Sequence, residues 1–320
     1  MAPVRAATRT TTVLFIAGIG RSGSTLLEQA IGGVPGVLAL GEVVHLWQRG
    51  IRDDENCGCG QPFSGCEFWR EVGSRAFGGW DRVDVADVHR LRDRVDRVRK
   101  VPGMVRPGMS EQVRRDRAAY ARYYQQVYRA AADVGSASVV VDSSKQASMP
   151  HVLAGQDGLD LRVLHCVRDP RAVCYAWTKT VERPDRAGST VYMDRYTERE
   201  MAVMWNAHNA AVDLARRWQV PQSRVRYEDL VRDLGGEVRS ALRAVGIDAP
   251  SDGLDHLGQD SLTMSETHTV AGNPMRFGTG VVPVRRDDEW RTRMPAGRRR
   301  LVTAMTWPLL ARYGYLRSAR

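Results

Sequence analysis

Apolar and β-branched residues gather in three short continuous runs, TVLFIA (12–17), ASVVVD (137–142) and LRVLHCV (161–167). Runs of that length without polar alternation predict strands buried on both faces, as in a parallel sheet. Around them, apolar positions recur at helical spacing, most clearly over 84–101, 110–134, 192–218 and 236–245. The stretch VRYEDLV (225–231) reads as a shorter strand running into a helix. Strands alternating with helices predict an α/β fold with a parallel sheet, right-handed crossovers and a ligand site at the carboxyl ends of the strands. No internal repeat or low-complexity linker breaks the pattern, so the expectation is one domain over 1–320. A helical insertion at about 50–135 is expected to shape one side of the site.

Charge changes this picture little. The net charge is +10, and only three of the 47 basic residues are lysine, at Lys100, Lys145 and Lys179. A basic surplus suits anionic ligands or nucleic acid. The most charged helical stretch, DVADVHRLRDRVDRVRK, carries Val85, Val88, Leu91, Val95 and Val98 on one face. Its arginines therefore form the solvated face of an amphipathic helix rather than a nucleic-acid stripe. No apolar run approaches membrane-spanning length, and no apolar leader precedes the first strand. Five cysteines are an odd count for a disulfide framework, and the expected location is the cytoplasm.

Directly after the first apolar run comes GIGRSGSTLLEQA (18–30), a glycine-bracketed turn opening a helix. Strand, Gly-rich turn and helix are the layout of a phosphate loop, in which backbone N–H groups and the helix dipole face one anion. Gly18 and Gly23 keep the spacing of G-x-x-x-x-G-K-[ST], and Thr25 keeps its hydroxyl. Ser24 stands in the lysine position, and the nearest cation is Arg21, inside the turn. A purely structural connection is the plain alternative. It has no need of a cation and a row of hydroxyls at a helix N-terminus, where the dipole disfavours positive charge.

Three more stretches end near predicted strand ends. In VRDPRAV, Arg168 closes a strand, Asp169 is an N-cap candidate and Pro170 occupies the first helical turn. Arg168 there can fork onto a phosphate or merely cap the helix through a salt bridge. In VVVDSSK, Lys145 follows a strand end and is the lysine read as functional. In LALGEVVHLW, Glu42 opens a helix near the sheet edge, either favouring its N-terminus or serving as a general base. His45, one turn on, is the weaker candidate for the same task.

Taken in order, GIGRSGSTLL, LGE, DSSK, VRDPRAV and RYEDL resemble the sulfotransferases that use 3′-phosphoadenosine 5′-phosphosulfate (PAPS), over about residues 13–292. The tyrosylprotein, carbohydrate and bacterial branches are closer than the cytosolic phenol branch. The resemblance implies a P-loop NTPase-like fold, PAPS as donor and no required metal. It also accounts for the missing lysine, since this donor has no γ-phosphate to reach. It implies that Arg21, Ser22, Gly23, Ser24 and Thr25 hold the 5′-phosphosulfate and that Arg168 holds the 3′-phosphate. Glu42 then matches the base, Lys145 the lysine near the bridging oxygen, and Tyr227 a tyrosine near the cofactor. The late loop HTVAGNPMRF (268–277) resembles the segment closing over the nucleotide, which adds Asn273 and Arg276. One position departs. The family's serine eight residues after the 3′-phosphate arginine is Ala176 here, a missing hydrogen bond worth on the order of 1 kcal/mol, with Lys179 or Arg276 as candidate substitutes.

The expected reaction is sulfuryl transfer to a hydroxyl of a small-molecule or glycoconjugate acceptor. A P-loop small-molecule kinase is the rival enzyme, and a basic nucleic-acid-binding protein is the rival from another class. The cysteine stretch CGCGQPFSGCEFW remains outside this scheme. Cys57, Cys59 and Cys66 are close enough to share a metal, but they lack paired C-x₂-C spacing and an evident fourth ligand. Free thiols in a substrate-side loop are therefore preferred over structural zinc or a disulfide.

Overall fold

The computed structural model describes residues 10–183, 191–250 and 252–316. The three apolar runs become the inner strands of a five-stranded parallel sheet: β1 (Thr11–Gly18), β3 (Val139–Lys145) and β4 (Leu159–Val167). The short edge strand β2 (Val37–Ala39) lies outside β3, and the strand Gln222–Arg226 closes the other edge beside β4. β1 is central, with Val13 opposite Val140 on one side and Leu161 on the other.

Both faces of these strands are covered, which is why their sequences do not alternate. Val13 and Phe15 of β1 pack with Val140 and with helices of the 50–135 segment, whereas Leu14 and Ile16 pack with Leu27 and Ile31 of the helix after the loop. That helix, α1 (Ser24–Gly32), shares its layer with Leu234–Ala244. The 50–135 segment supplies Glu67–Phe77, Val85–Val95 and Glu111–Val134 to the opposite layer. A third apolar cluster joins Pro170–Thr178, Glu198–Leu214 and the late helix Ala296–Arg312 around Trp205 and Tyr313.

Two helices are shorter than their periodicity predicts. The one expected over 84–101 stops at Val95, because buried Asp96 is taken by Ser148 Oγ (2.6 Å) and the Tyr120 hydroxyl (3.2 Å). The one expected over 192–218 starts only after Thr197, which forms a reciprocal capping box with Glu200. Ahead of it, Val191–Tyr192 pairs with Glu182–Arg183 instead.

Two irregularities position the site. Between Phe15–Ala17 of β1 and Asp142–Lys145 of β3 the register gains one residue, a bulge that turns the end of β3. Beyond the sheet, an antiparallel pair Ser261–Met264 and Gly280–Pro283 closes the 265–279 loop, which lies against the segment just after β2. Val270 N–H donates to Leu40 O (2.8 Å), and Glu42 N–H donates to Val270 O (2.8 Å). Among the described residues, no helix is long and apolar enough to cross a membrane.

Candidate active site

The loop after β1 meets two glycine requirements. A Cβ on Gly18 (φ 154°) would lie 2.4 Å from Cys166 O of β4, and one on Gly23 (φ 89°) would lie 2.5 Å from the Tyr227 ring. The side chain of Gly23's neighbour in this packing is thus Tyr227, at the end of the edge strand, as the VRYEDLV pattern predicts. Arg21 also adopts a positive φ, 69°, unusual for a side chain of its size. Its turn and the start of α1 form the floor of a cavity of about 520 Å³, within the size range of small-ligand sites.

Arg21, Gly23, Ser24 and Thr25 line this cavity together with Glu42 and Lys145. Arg168, Tyr227 and Asn273 face it from the other strand ends and the late loop. Two of the sequence candidates do not line it. Ser22 is fully buried beneath the loop, where its carbonyl accepts from Cys166 Sγ (3.0 Å). Arg276 is buried with its guanidinium donating to Thr269 O (2.8 Å) and Asn56 O (2.7 Å), so it binds backbone behind the loop. Lys179 and Ala176 do line the cavity, which leaves Lys179, not Arg276, as the cation near the Ala176 position.

Lys145 forms an ion pair with Glu42 Oε1, and His45 Nε2 lies 3.4 Å from Glu42 Oε2. Burial pushes the Glu42 carboxyl up, but the Lys145 charge and the contact with His45 outweigh it, so its pKa falls well below the carboxylate range. Burial pushes the His45 pKa down against the pull of Glu42. Glu42 itself precedes a short 3₁₀ turn, Val43–His45, at the end of the sheet edge. Behind it stands Glu28 of α1, which sequence reasoning passed over. Its carboxylate accepts from Gly41 N–H (2.8 Å) and Ser143 Oγ (2.8 Å), tying α1 to the two segments that carry Glu42 and Lys145. Burial lifts the Glu28 pKa to about 7.

On the far side, Arg168 lies over the Tyr227 ring at 4.3 Å and donates to Arg21 O (3.1 Å) and Asp287 O (2.9 Å). It also pairs with the Asp287 carboxylate at 3.0 Å. Asp169 caps the following helix by accepting from Arg171 N–H (2.9 Å), as the DPR pattern predicts. Burial, together with the neighbouring Arg168 charge, lowers the Arg21 pKa. Arg21 Nε and Arg168 Nε are both buried without a hydrogen-bond partner among the described residues. Two guanidinium groups crowded together on the cavity wall concentrate positive charge there, as an anion site requires. Trp177 braces the loop, its Nε1 donating to Gly20 O at 3.1 Å. Neither Trp177 nor Asp287 carried a local signal in the sequence, since each acts only through contacts far along the chain.

The three cysteines lie outside this cavity, all reduced, beside His268 of the late loop. The sequence stretch TVERPDRAGSTVYMDRY (180–196) is a further candidate for the acceptor pocket, and its residues 184–190 lie outside the described residues.

The profile of the Sulfotransferase family matches residues 14–251. The fold is similar to the sulfotransferase domain from the Synechococcus PCC 7002 olefin synthase, with 20% identity, a TM-score of 0.50, and coverage of 94% of this chain and 95% of that one. Sulfotransferase STF9 from Mycobacterium avium shares 14% identity over 78% of this chain and 67% of that one, with a TM-score of 0.41. No curated protein sequence matches the chain. With the glycine-rich loop after β1, the parallel sheet and the family match over most of its length, the chain belongs to the Sulfotransferase family.

Proposed function

We propose that this chain transfers a sulfuryl group from PAPS to a hydroxyl of a small-molecule or glycoconjugate acceptor by in-line displacement. The observation that carries the reading is the Glu42–Lys145 pair, which faces a phosphate loop that has no lysine of its own. The donor brings a sulfuryl group already activated by its phosphate, so the chain must supply position, positive charge and one proton acceptor.

The positions of Arg21 and Arg168 on the cavity wall suit a ligand with negative charge at two ends. Arg21 and the loop N–H groups, with Ser24 and Thr25, would hold the 5′-phosphosulfate, and Arg168 the 3′-phosphate beside Tyr227. Asn273 faces the same space from the late loop. Lys145 places its charge where the leaving oxygen becomes negative. As Lys145 turns from Glu42 toward that oxygen, the carboxylate loses its main electrostatic partner, its pKa rises, and it accepts the acceptor's proton more readily. His45 and Arg49 line the side of the cavity next to the 50–135 segment, which marks that side for the acceptor. The reading includes a cytoplasmic location, in keeping with an odd count of five cysteines, which is no disulfide framework.

Thermal unfolding of the desalted protein with three ligands tests the proposal. Adenosine 3′,5′-bisphosphate should raise the midpoint, while ATP with Mg²⁺ and an oligonucleotide should not. A shift with ATP–Mg²⁺ alone would favour a kinase, and a shift with the oligonucleotide alone a nucleic-acid-binding protein. Incubation with PAPS and host extract, followed by product analysis, identifies the acceptor.

A further inference from the structure

Cys57, Cys59, Cys66 and His268 converge although 211 residues separate the first from the last. Their four ligand atoms lie within 4.8 Å of one another. Cys59 Sγ and Cys66 Sγ are 3.8 Å apart, and His268 Nδ1 is 3.4 Å from Cys66 Sγ and 3.9 Å from Cys57 Sγ. A tetrahedral zinc ion with Zn–S of about 2.3 Å and Zn–N of about 2.0–2.1 Å requires edges of about 3.8 Å between sulfurs and about 3.5 Å between sulfur and nitrogen. Three of the six edges lie within about 0.4 Å of those values, and the others are no longer than 4.8 Å. A disulfide, with sulfurs about 2.05 Å apart, does not match them.

We infer that Cys57, Cys59, Cys66 and His268 form a structural zinc site that fastens the cysteine loop to the loop over the active-site cavity. Four protein ligands leave no open position, which is the arrangement of a structural rather than a catalytic zinc. Three thiolates and one imidazole select zinc over hard cations, and the ligand atoms are too close together to enclose a polynuclear iron–sulfur cluster. On binding, the ion replaces the thiol protons, which pass to solvent.

The surroundings are those of a built site. Backbone N–H groups of Cys59, Gln61 and Trp69 point at the sulfurs of Cys57, Cys59 and Cys66, respectively. Such donors orient thiolate ligands and disperse their charge. The His268 ring stacks on Phe68 with centroids 5.0 Å apart, and its carbonyl accepts from Trp69 Nε1 at 2.8 Å. Cys57 and Cys66 are each 1% exposed.

The site has a mechanical consequence. Gly58 N–H donates to Thr269 O (2.9 Å), and Arg276 bonds both Asn56 O and Thr269 O, so the same two segments are stitched on each side of the cluster. Two residues beyond His268, Val270 pairs with Leu40 and Glu42, and the chain then reaches Gly272 and Asn273 in the cavity wall. A metal at His268 thus holds the backbone that positions Glu42. This does not depend on the identity of the donor or acceptor.

The test measures metal in the full chain, expressed with added zinc and purified in reducing, metal-free buffer. Elemental analysis should find one zinc per chain. Cys59→Ser and His268→Ala should lose it, while His268→Cys, which restores a four-ligand thiolate set, and Cys174→Ser should retain it. Cobalt exchanged into the wild-type chain should give the intense tetrahedral bands and thiolate charge transfer of a sulfur-rich site. Hydrogen exchange over 265–277 should accelerate in the zinc-free protein. Sub-stoichiometric zinc with a weak octahedral cobalt spectrum would overturn the inference, as would a Cys59–Cys66 disulfide in freshly prepared protein. Unchanged exchange on zinc removal would overturn the fastening role.

Discussion

At Lys145 the backbone enters the left-handed region (φ 62°) immediately after the β3 bulge. A non-glycine residue held there costs on the order of 1–3 kcal/mol, a strain that persists only where the surroundings impose it. Here it aims the ammonium group at Glu42. Glu42→Gln keeps the shape but cannot accept a proton, so kcat should fall by roughly 10²-fold or more while adenosine 3′,5′-bisphosphate binding is unchanged. Near-normal turnover would move the role to His45. Glu28 gives a second residue-scale expectation, on stability. Its folded pKa of about 7 lies above the ordinary 4.5, so the native state binds the proton more tightly. That contribution is complete below about pH 4.5 and is lost as pH rises through about 7. The stability advantage of wild type over Glu28→Gln should therefore shrink by on the order of 2–3 kcal/mol across this interval. Urea unfolding of both proteins at several pH values measures it, and parallel curves would exclude the titration.

Among the elements, Pro170–Thr178 shows how a helix can be legible and its ligand side still undecided. Asp169 and Pro170 announce its start, and Arg168 stands just before it at the strand end. Ala176 lines the cavity from the same helix, where the family resemblance implies a serine. Ala176→Ser should tighten adenosine 3′,5′-bisphosphate binding by about 0.5–1.5 kcal/mol, several-fold in affinity. Adenosine 5′-phosphate, which lacks the 3′ group, should bind as before. Titration calorimetry with both ligands reads the difference. Equal gains would assign the effect to packing, and weaker binding of both would show that the new hydroxyl is crowded.

At the scale of the whole molecule, a net charge of +10 surrounds a cavity lined by Arg21, Arg49, Lys145, Arg168 and Lys179. Affinity for the doubly phosphorylated nucleotide should fall as salt rises, and fall less steeply in Arg168→Met. An unchanged salt slope would place the 3′-phosphate elsewhere. The sequence by itself determined the strands, because burial on both faces demands uninterrupted apolar runs, and it marked the phosphate loop, because the turn requires glycines at fixed spacing. It also placed Glu42, Lys145 and Arg168 at strand ends, which a parallel sheet necessarily gathers on one edge. Tertiary structure alone decided the pairings that cross the chain. Glu28 reaches Gly41 and Ser143, and Asp287 takes Arg168. Arg276 turns to backbone rather than to the cavity. His268 completes a ligand set whose other members lie about two hundred residues earlier. Spacing records only what neighbours along the chain impose on one another, whereas these contacts follow from how the late loop folds back over the sheet edge.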